Sequence, residues 1–232
     1  IGGLFLVMLL FSPGSIVTQV RTVDQLGVLP QSIDLPYEVL KIYLNFLGSL
    51  SMFILPMLSM GLYAEERKQG TLELLATSPL TNWVVALGKL LGIVTFYSAM
   101  LIPLLILELM AFGSSDPAFP TMLLLVGHGG LLLLAAGVLS LGMFISSLSE
   151  STVLAAVMTF GLVLVLWIIE EVAAALPGAI GAALSHLSLL THFTDFTQGI
   201  FDTSGLILFS SYIFLGLFLT AQSIDTLRFQ RS

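Results

Sequence analysis

The segment Thr121–Leu148, TMLLLVGHGGLLLLAAGVLSLGMFISSL, decides the fold class. It exceeds the about 20 apolar residues that cross a bilayer, and it holds no Asp, Glu, Lys or Arg. It lacks the period-two alternation of a membrane barrel strand, so it reads as a helix that satisfies its own backbone hydrogen bonds in lipid. The rest of the chain agrees. Of its 232 residues 57% are hydrophobic and only 9% charged, and the mean hydropathy of +1.06 exceeds what a soluble core of this size can hide. Further spans are expected at 1–16, 42–63, 87–112, 152–176 and 206–224. The chain opens on IGGLFLVMLLF, an apolar run already in progress, which reads as a first helix cut short rather than a signal peptide. The expected fold is an all-α integral membrane protein: a six-helix transmembrane bundle with a truncated first helix, forming a single transmembrane domain over 1–232.

Cysteine is absent, which excludes disulfides and thiolate metal sites. The net charge of −7 makes nucleic-acid binding an unsuitable function, and the lipid bilayer is the first partner. Orientation follows from the basic residues. With alternating spans, Arg67, Lys68, Lys89, Arg228 and Arg231 fall on one side and Arg21 and Lys41 on the other, so the first side is expected to be cytoplasmic. Both termini are then cytoplasmic, in a multi-pass protein of the plasma (inner) membrane. Asp24, Asp34, Glu38, Glu108, Asp116, Glu170, Glu171, Asp195 and Asp202 fall outside or near the outer surface.

Charge is concentrated in YAEERKQGTLELLATSPLT, residues 63–81, which carries Glu65, Glu66, Arg67, Lys68 and Glu73. The plain reading is a solvated loop anchoring the second span. Helix rules divide it further. Gly70 terminates a helix, Thr71 is placed to N-cap the next, and Glu73 sits in a first turn, where a carboxylate favours the dipole. Leu72, Leu75 and Ala76 form a short apolar stripe that Pro79 ends. A helix of under about ten residues is marginal alone in water, so this one needs a surface to dock on.

The run EERKQGTLELLATSPLTNWVVALGKLLG, residues 65–92, resembles the cytoplasmic signature of type-2 ABC exporter permeases, the ABC-2 family. In that signature an acidic-basic run precedes G-T-L-E, then L-L-x-T-S-P, then G-K entering the third span. Similarity extends to SSLSESTVLAAVMTFGLVLVLW. It also reaches LSLLTHFTDFTQGIFDTSGLILFSSYIFLGLFLTAQSIDTLRFQ, which looks like the gliding-motility-type branch. The resemblance implies a permease subunit that works as a homo- or heterodimer with cytoplasmic ABC ATPase subunits, and that exports a substrate the sequence does not identify. It implies a coupling helix seated in an ATPase groove, formed by Thr71, Leu72, Glu73, Leu74 and Leu75, with Glu65, Glu66, Arg67 and Lys68 as its lead-in. It also implies a short re-entrant or extracellular helix before the last span. No catalytic residue, cofactor or metal site is expected in the chain itself. No G-x-x-x-x-G-K-[ST] occurs, because Gly88 and Lys89 are followed by leucine, so ATP would be bound by the partner subunit.

Other candidates carry two readings each. Lys89 contacts the ATPase or lipid phosphate, or it snorkels to headgroups beside Trp83; snorkelling is the simpler expectation. Glu108, Glu170 and Glu171, as ionisable groups near outer helix ends, are candidates for a translocation path or outer gate, or they reach water. His128, among Gly127, Gly129 and Gly130, reads as a packed, hydrogen-bonded histidine. Along HLSLLTHFTDFTQGIFD, residues 186–202, Leu189, Phe193, Phe196 and Ile200 share a face, as in a helix lying in the outer interface or re-entering from it. His192 and Asp195 fall opposite, three apart, as gate candidates or as a local hydrogen-bonded pair. His128, His186 and His192 without i, i+4 spacing make a poor metal site. Two alternatives to a permease stand beside it: a non-transporting membrane anchor that recruits an ATPase, and an intramembrane hydrolase, for which no G-x-S-x-G occurs.

Overall fold

The computed structural model describes residues 35–71, 81–113, 121–176, 178, 181 and 184–229. These form seven helices: α1 (Leu35–Ser59), α2 (Gly61–Gln69), α3 (Asn82–Phe112), α4 (Thr121–Leu148), α5 (Thr152–Ala175), α6 (Leu189–Thr197) and α7 (Thr203–Phe229). Five helical segments are long and apolar enough to cross a membrane, α1 and α2 counting as one through Pro36–Gln69. The all-helical membrane fold expected from composition is therefore the fold observed. The first expected span, 1–16, lies outside the described residues, as do positions 72–80 of the charged segment.

Helix ends differ from those read by hydropathy where polar residues extend a helix. The segment expected at 42–63 runs from Leu35 to Gln69 with an interruption at Met60. Counting apolar residues stops at the first charges, but backbone hydrogen bonding does not, and Glu65 to Gln69 are good helix formers. Pro36 is tolerated in the first turn of α1, where its missing N–H has no intrahelical partner. Pro56, inside α1, withholds a donor four residues before the interruption. The last span starts at Thr203 rather than 206, because the Asp202 carboxylate accepts from the N–H groups of Ser204 (3.1 Å) and Gly205 (3.2 Å), capping α7.

The central element is α4, which packs against every other described helix and is mostly buried, whereas α3 and α5 have few fully buried residues. In lipid the hydrophobic effect does not drive helices together, so close contact requires small residues at the crossings. A Cβ on Gly142 would meet Ser59 Oγ and Thr159 Cγ2 within 3 Å, so α1, α4 and α5 meet there. A Cβ on Gly216 would meet the Ser140 main chain at 2.5–2.6 Å, which brings α7 against α4. The Ser140 hydroxyl bridges that crossing through the carbonyls of Gly137 (2.7 Å) and Tyr212 (3.0 Å).

Candidate functional site

One end of the bundle, the basic end, holds Arg67, Lys68 and Lys89 together with Glu65, Glu66, Glu150 and Asp225, and the opposite, acidic end holds Glu170, Glu171, Asp195 and Asp202. At the basic end α2 carries the charged lead-in, and its first turn needs partners for orphaned N–H groups. They come from another helix: Ser146 Oγ of α4 accepts from the N–H groups of Tyr63 and Ala64, both at 3.0 Å, and donates to the Met60 carbonyl at 2.7 Å. Arg67 then reaches the C-terminus of α4, donating to the Ser147 carbonyl at 2.9 Å with Glu150 3.5 Å away. A cation there meets the negative end of the helix dipole.

From the opposite side Lys89 of α3 donates to the Leu62 carbonyl and to Glu66 Oε2, both at 2.5 Å, and lies 3.9 Å from the centre of the Tyr63 ring. The ammonium thus has a carboxylate, a carbonyl and an aromatic face of α2 as partners within the protein, which the snorkelling expectation did not include. Trp83 packs beside Phe214 and Phe218, at 6.0 and 6.1 Å between ring centres. Asn82 donates to the Asp225 carboxylate, tying the start of α3 to α7.

The end of α2 has a defined geometry. Gly70 is left-handed (φ 72°), its N–H donates to the Arg67 carbonyl, and the Thr71 N–H donates to the Glu66 carbonyl, which is the Schellman closure. Thr71, expected from sequence to N-cap the next helix, also donates its hydroxyl to the Glu66 carbonyl at 3.2 Å. Within the described residues it therefore closes α2. Glu65 and Lys68 stay on the outer side of this clamp, with Gln69 donating to Glu65 at 3.5 Å. Leu72, Glu73, Leu74, Leu75 and Pro79 lie outside the described residues.

Toward the acidic end, Glu108 of α3 is fully buried and faces His128 of α4, Oε2 to Nε2 3.7 Å, while His128 Nδ1 contacts the Leu124 carbonyl at 3.0 Å. Glu108 therefore does not reach water from α3, contrary to one of its two readings. The packed histidine is as expected, but its carboxylate neighbour comes from the preceding helix and has no sequence signal. Glu171 is exposed on α5, and Glu170 beside it is half-buried.

Helix α6 of the segment 186–202 packs its apolar face on the other helices. Phe193 and Phe196 are buried, inserting against Gly48 and Gly130. Asn45 donates to Thr197 Oγ1 at 2.9 Å, and Tyr37 donates to the Gln198 carbonyl at 3.3 Å. Ile200, expected on the same face, lies beyond the helix and is exposed. His192 is on the buried side rather than opposite it, and its Nδ1 is 3.5 Å from Asp202 Oδ2. Burial, followed by the charge of Asp202, raises the pKa of Asp195; Glu170 adds to this, and His192 acts in the other direction. The Ser204 N–H leads the causes that lower that of Asp202. Sequence reasoning missed Ser146, Ser147 and Asp202; only Asp202 had a local signal, a helix cap directly before an apolar run.

These features define a polytopic α-helical membrane protein whose polar side chains hold helices together at two ends. The profile described as "ABC-2 family transporter protein" matches residues 6–231, so the chain belongs to the ABC-2 transporter family. Neither a curated protein nor a solved structure matches it significantly.

Proposed function

We propose that the chain is the permease subunit of an ABC exporter, with residues 71–79 as the coupling helix on which a separate ATPase subunit acts and α2 as the lever behind it. The observation that carries this reading is the clamp on α2. Ser146 and Arg67 fix it to α4, Lys89 fixes it to α3, and it ends at Gly70 directly before the segment 72–79. A push on that segment would pass into two spans through a rigid, hydrogen-bonded joint instead of dissipating in a loop. The basic end is then cytoplasmic, in the plasma (inner) membrane, and the subunit works as a dimer whose members meet through lipid-facing surfaces. The likeness of residues 186–229 to the gliding-motility-type branch belongs to the same proposal.

At the other end Glu170 of α5 and His192 of α6 act in opposite directions on the Asp195 carboxyl, and this grouping of titratable side chains supports an outer gate there. Glu108 sits apart, between α3 and α4, and Glu171 is exposed. The hydrolase alternative draws no support from six of the buried serines: Ser51, Ser59, Ser140, Ser146, Ser147 and Ser149 each donate to a main-chain carbonyl, so their hydroxyl protons are not held by a base.

The test is co-purification with the ATPase encoded alongside, comparing the native chain with Glu73→Ala and Leu74→Ala. Loss of association and of stimulated ATP hydrolysis is expected. Unchanged association and stimulation in both variants would refute the coupling assignment.

A further inference from the structure

The acidic end contains a cluster that the coupling reading does not use. His192 of α6, Asp195 one turn later and Asp202 at the start of α7 place one ligand atom each within 4.8 Å of one another. His192 is only 6% exposed, and its Nδ1 has no hydrogen-bond partner although it points at Asp202 Oδ2, 3.5 Å away. At 3.5 Å that carboxylate is at the limit of hydrogen bonding, and a buried imidazole nitrogen so weakly engaged is costly unless something fills the gap. Asp202 is held in place, since its two oxygens each accept one main-chain N–H of α7, leaving lone pairs free. Asp195 is half-buried one turn along α6 from His192.

Between Leu90 and Leu227 the sequence holds no Lys or Arg; of the two bases expected at this end, Lys41 of α1 lies 5.9 Å from the centre of the Tyr37 ring and Arg21 lies outside the described residues. We propose that His192, Asp195 and Asp202 bind a divalent cation of the zinc class, clipping α6 to the start of α7. One imidazole and two carboxylates are a donor set for zinc, whereas magnesium and calcium take oxygen ligands throughout. The 3.5 Å separation of His192 Nδ1 and Asp202 Oδ2 is close to the about 3.4 Å edge of a tetrahedron with metal–ligand bonds of about 2.0–2.1 Å. Asp195 closes the third position by a side-chain rotation, and water takes the fourth. The exposed His186 ring lies nearly parallel to that of His192, 6.4 Å between centres. Histidine spacing along the sequence gives no metal site because the third ligand belongs to the next helix.

The experiment uses the full chain, free of any histidine tag, in detergent micelles after chelation, with zinc alone measured by metal analysis and cobalt(II) as the spectroscopic probe. About one equivalent is expected to bind per chain, with a tetrahedral cobalt spectrum and a raised unfolding temperature that chelator reverses. His192→Gln and Asp195→Asn should each weaken binding by more than the about 10–100-fold that changes behind the ligands cause. Glu171→Gln, exposed on α5, should bind as the native chain does. Asp195→Asn is the decisive variant, since it keeps the Asp202 cap of α7 and changes the side chain's size little. Absence of saturable binding to the native chain, or affinity unchanged in Asp195→Asn, overturns the site. Either result leaves the coupling proposal at the opposite end untouched.

Discussion

Ser146 serves as an N-cap residue does, but from a different helix. Its one hydroxyl accepts from two N–H groups of α2 and donates to the carbonyl at the interruption before it. Ser146→Ala would remove the side-chain acceptor shared by the buried Tyr63 and Ala64 N–H groups. We expect a loss of about 1–3 kcal/mol, read as a lower unfolding temperature in detergent with the helical content unchanged at low temperature. An unchanged unfolding temperature would mean that water replaces the hydroxyl. Lys89 likewise engages a carboxylate, a carbonyl and an aromatic ring of α2 from one position on α3. Both residues become intelligible only when a second helix is placed beside them.

At the scale of elements, α2 and α6 are alike in ending on a glycine with positive φ, Gly70 and Gly199, each followed by a Schellman bond. A Cβ at Gly70 would meet nothing within 4 Å, so substitution there tests backbone conformation alone. Gly70→Ala should cost about 1–2 kcal/mol through the left-handed penalty, and Gly70→Asn measurably less, both seen by thermal unfolding. Equal effects would point to a contact instead. The Gly70 stop is legible in the sequence because glycine's freedom is a property of the residue itself. The long spans are legible for a similar reason, since length and hydropathy are local. The ends of α1 and α7 are less so, because polar helix formers and the Asp202 cap extend helices past the apolar run. The placement of α6 is not legible: the spacing of Leu189, Phe193 and Phe196 gives one apolar face, but a face packed on protein and a face lying on lipid have the same pattern. Glu108 with His128, and His192 with Asp202, require a tertiary arrangement that spacing does not encode.

Across the whole molecule, α4 is the axis and small residues set how closely the others approach it. Gly216 and Gly88 separate this requirement from helix propensity. A Cβ at Gly216 meets the Ser140 main chain, which cannot move aside, whereas one at Gly88 meets nothing within 4 Å. Gly216→Ala should therefore strongly lower the folded yield and unfolding temperature, while Gly88→Ala should be neutral or stabilising by about 0.5–1 kcal/mol. The family match and the helical bundle set the frame of a membrane transporter subunit. In the proposed mechanism, ATP-driven motion enters at the segment after Gly70 and passes through α2. Since the chain has no cysteine, Leu74→Cys gives a single reactive site in an otherwise silent background. Cross-linking of that position to the co-purified ATPase subunit, with Glu171→Cys at the other end as comparison, tests this central claim most directly. We predict an adduct at position 74 whose yield changes when ATP is added, and none at position 171. An ATPase that co-purifies yet forms no adduct at 74, or reacts equally at both positions, would contradict it.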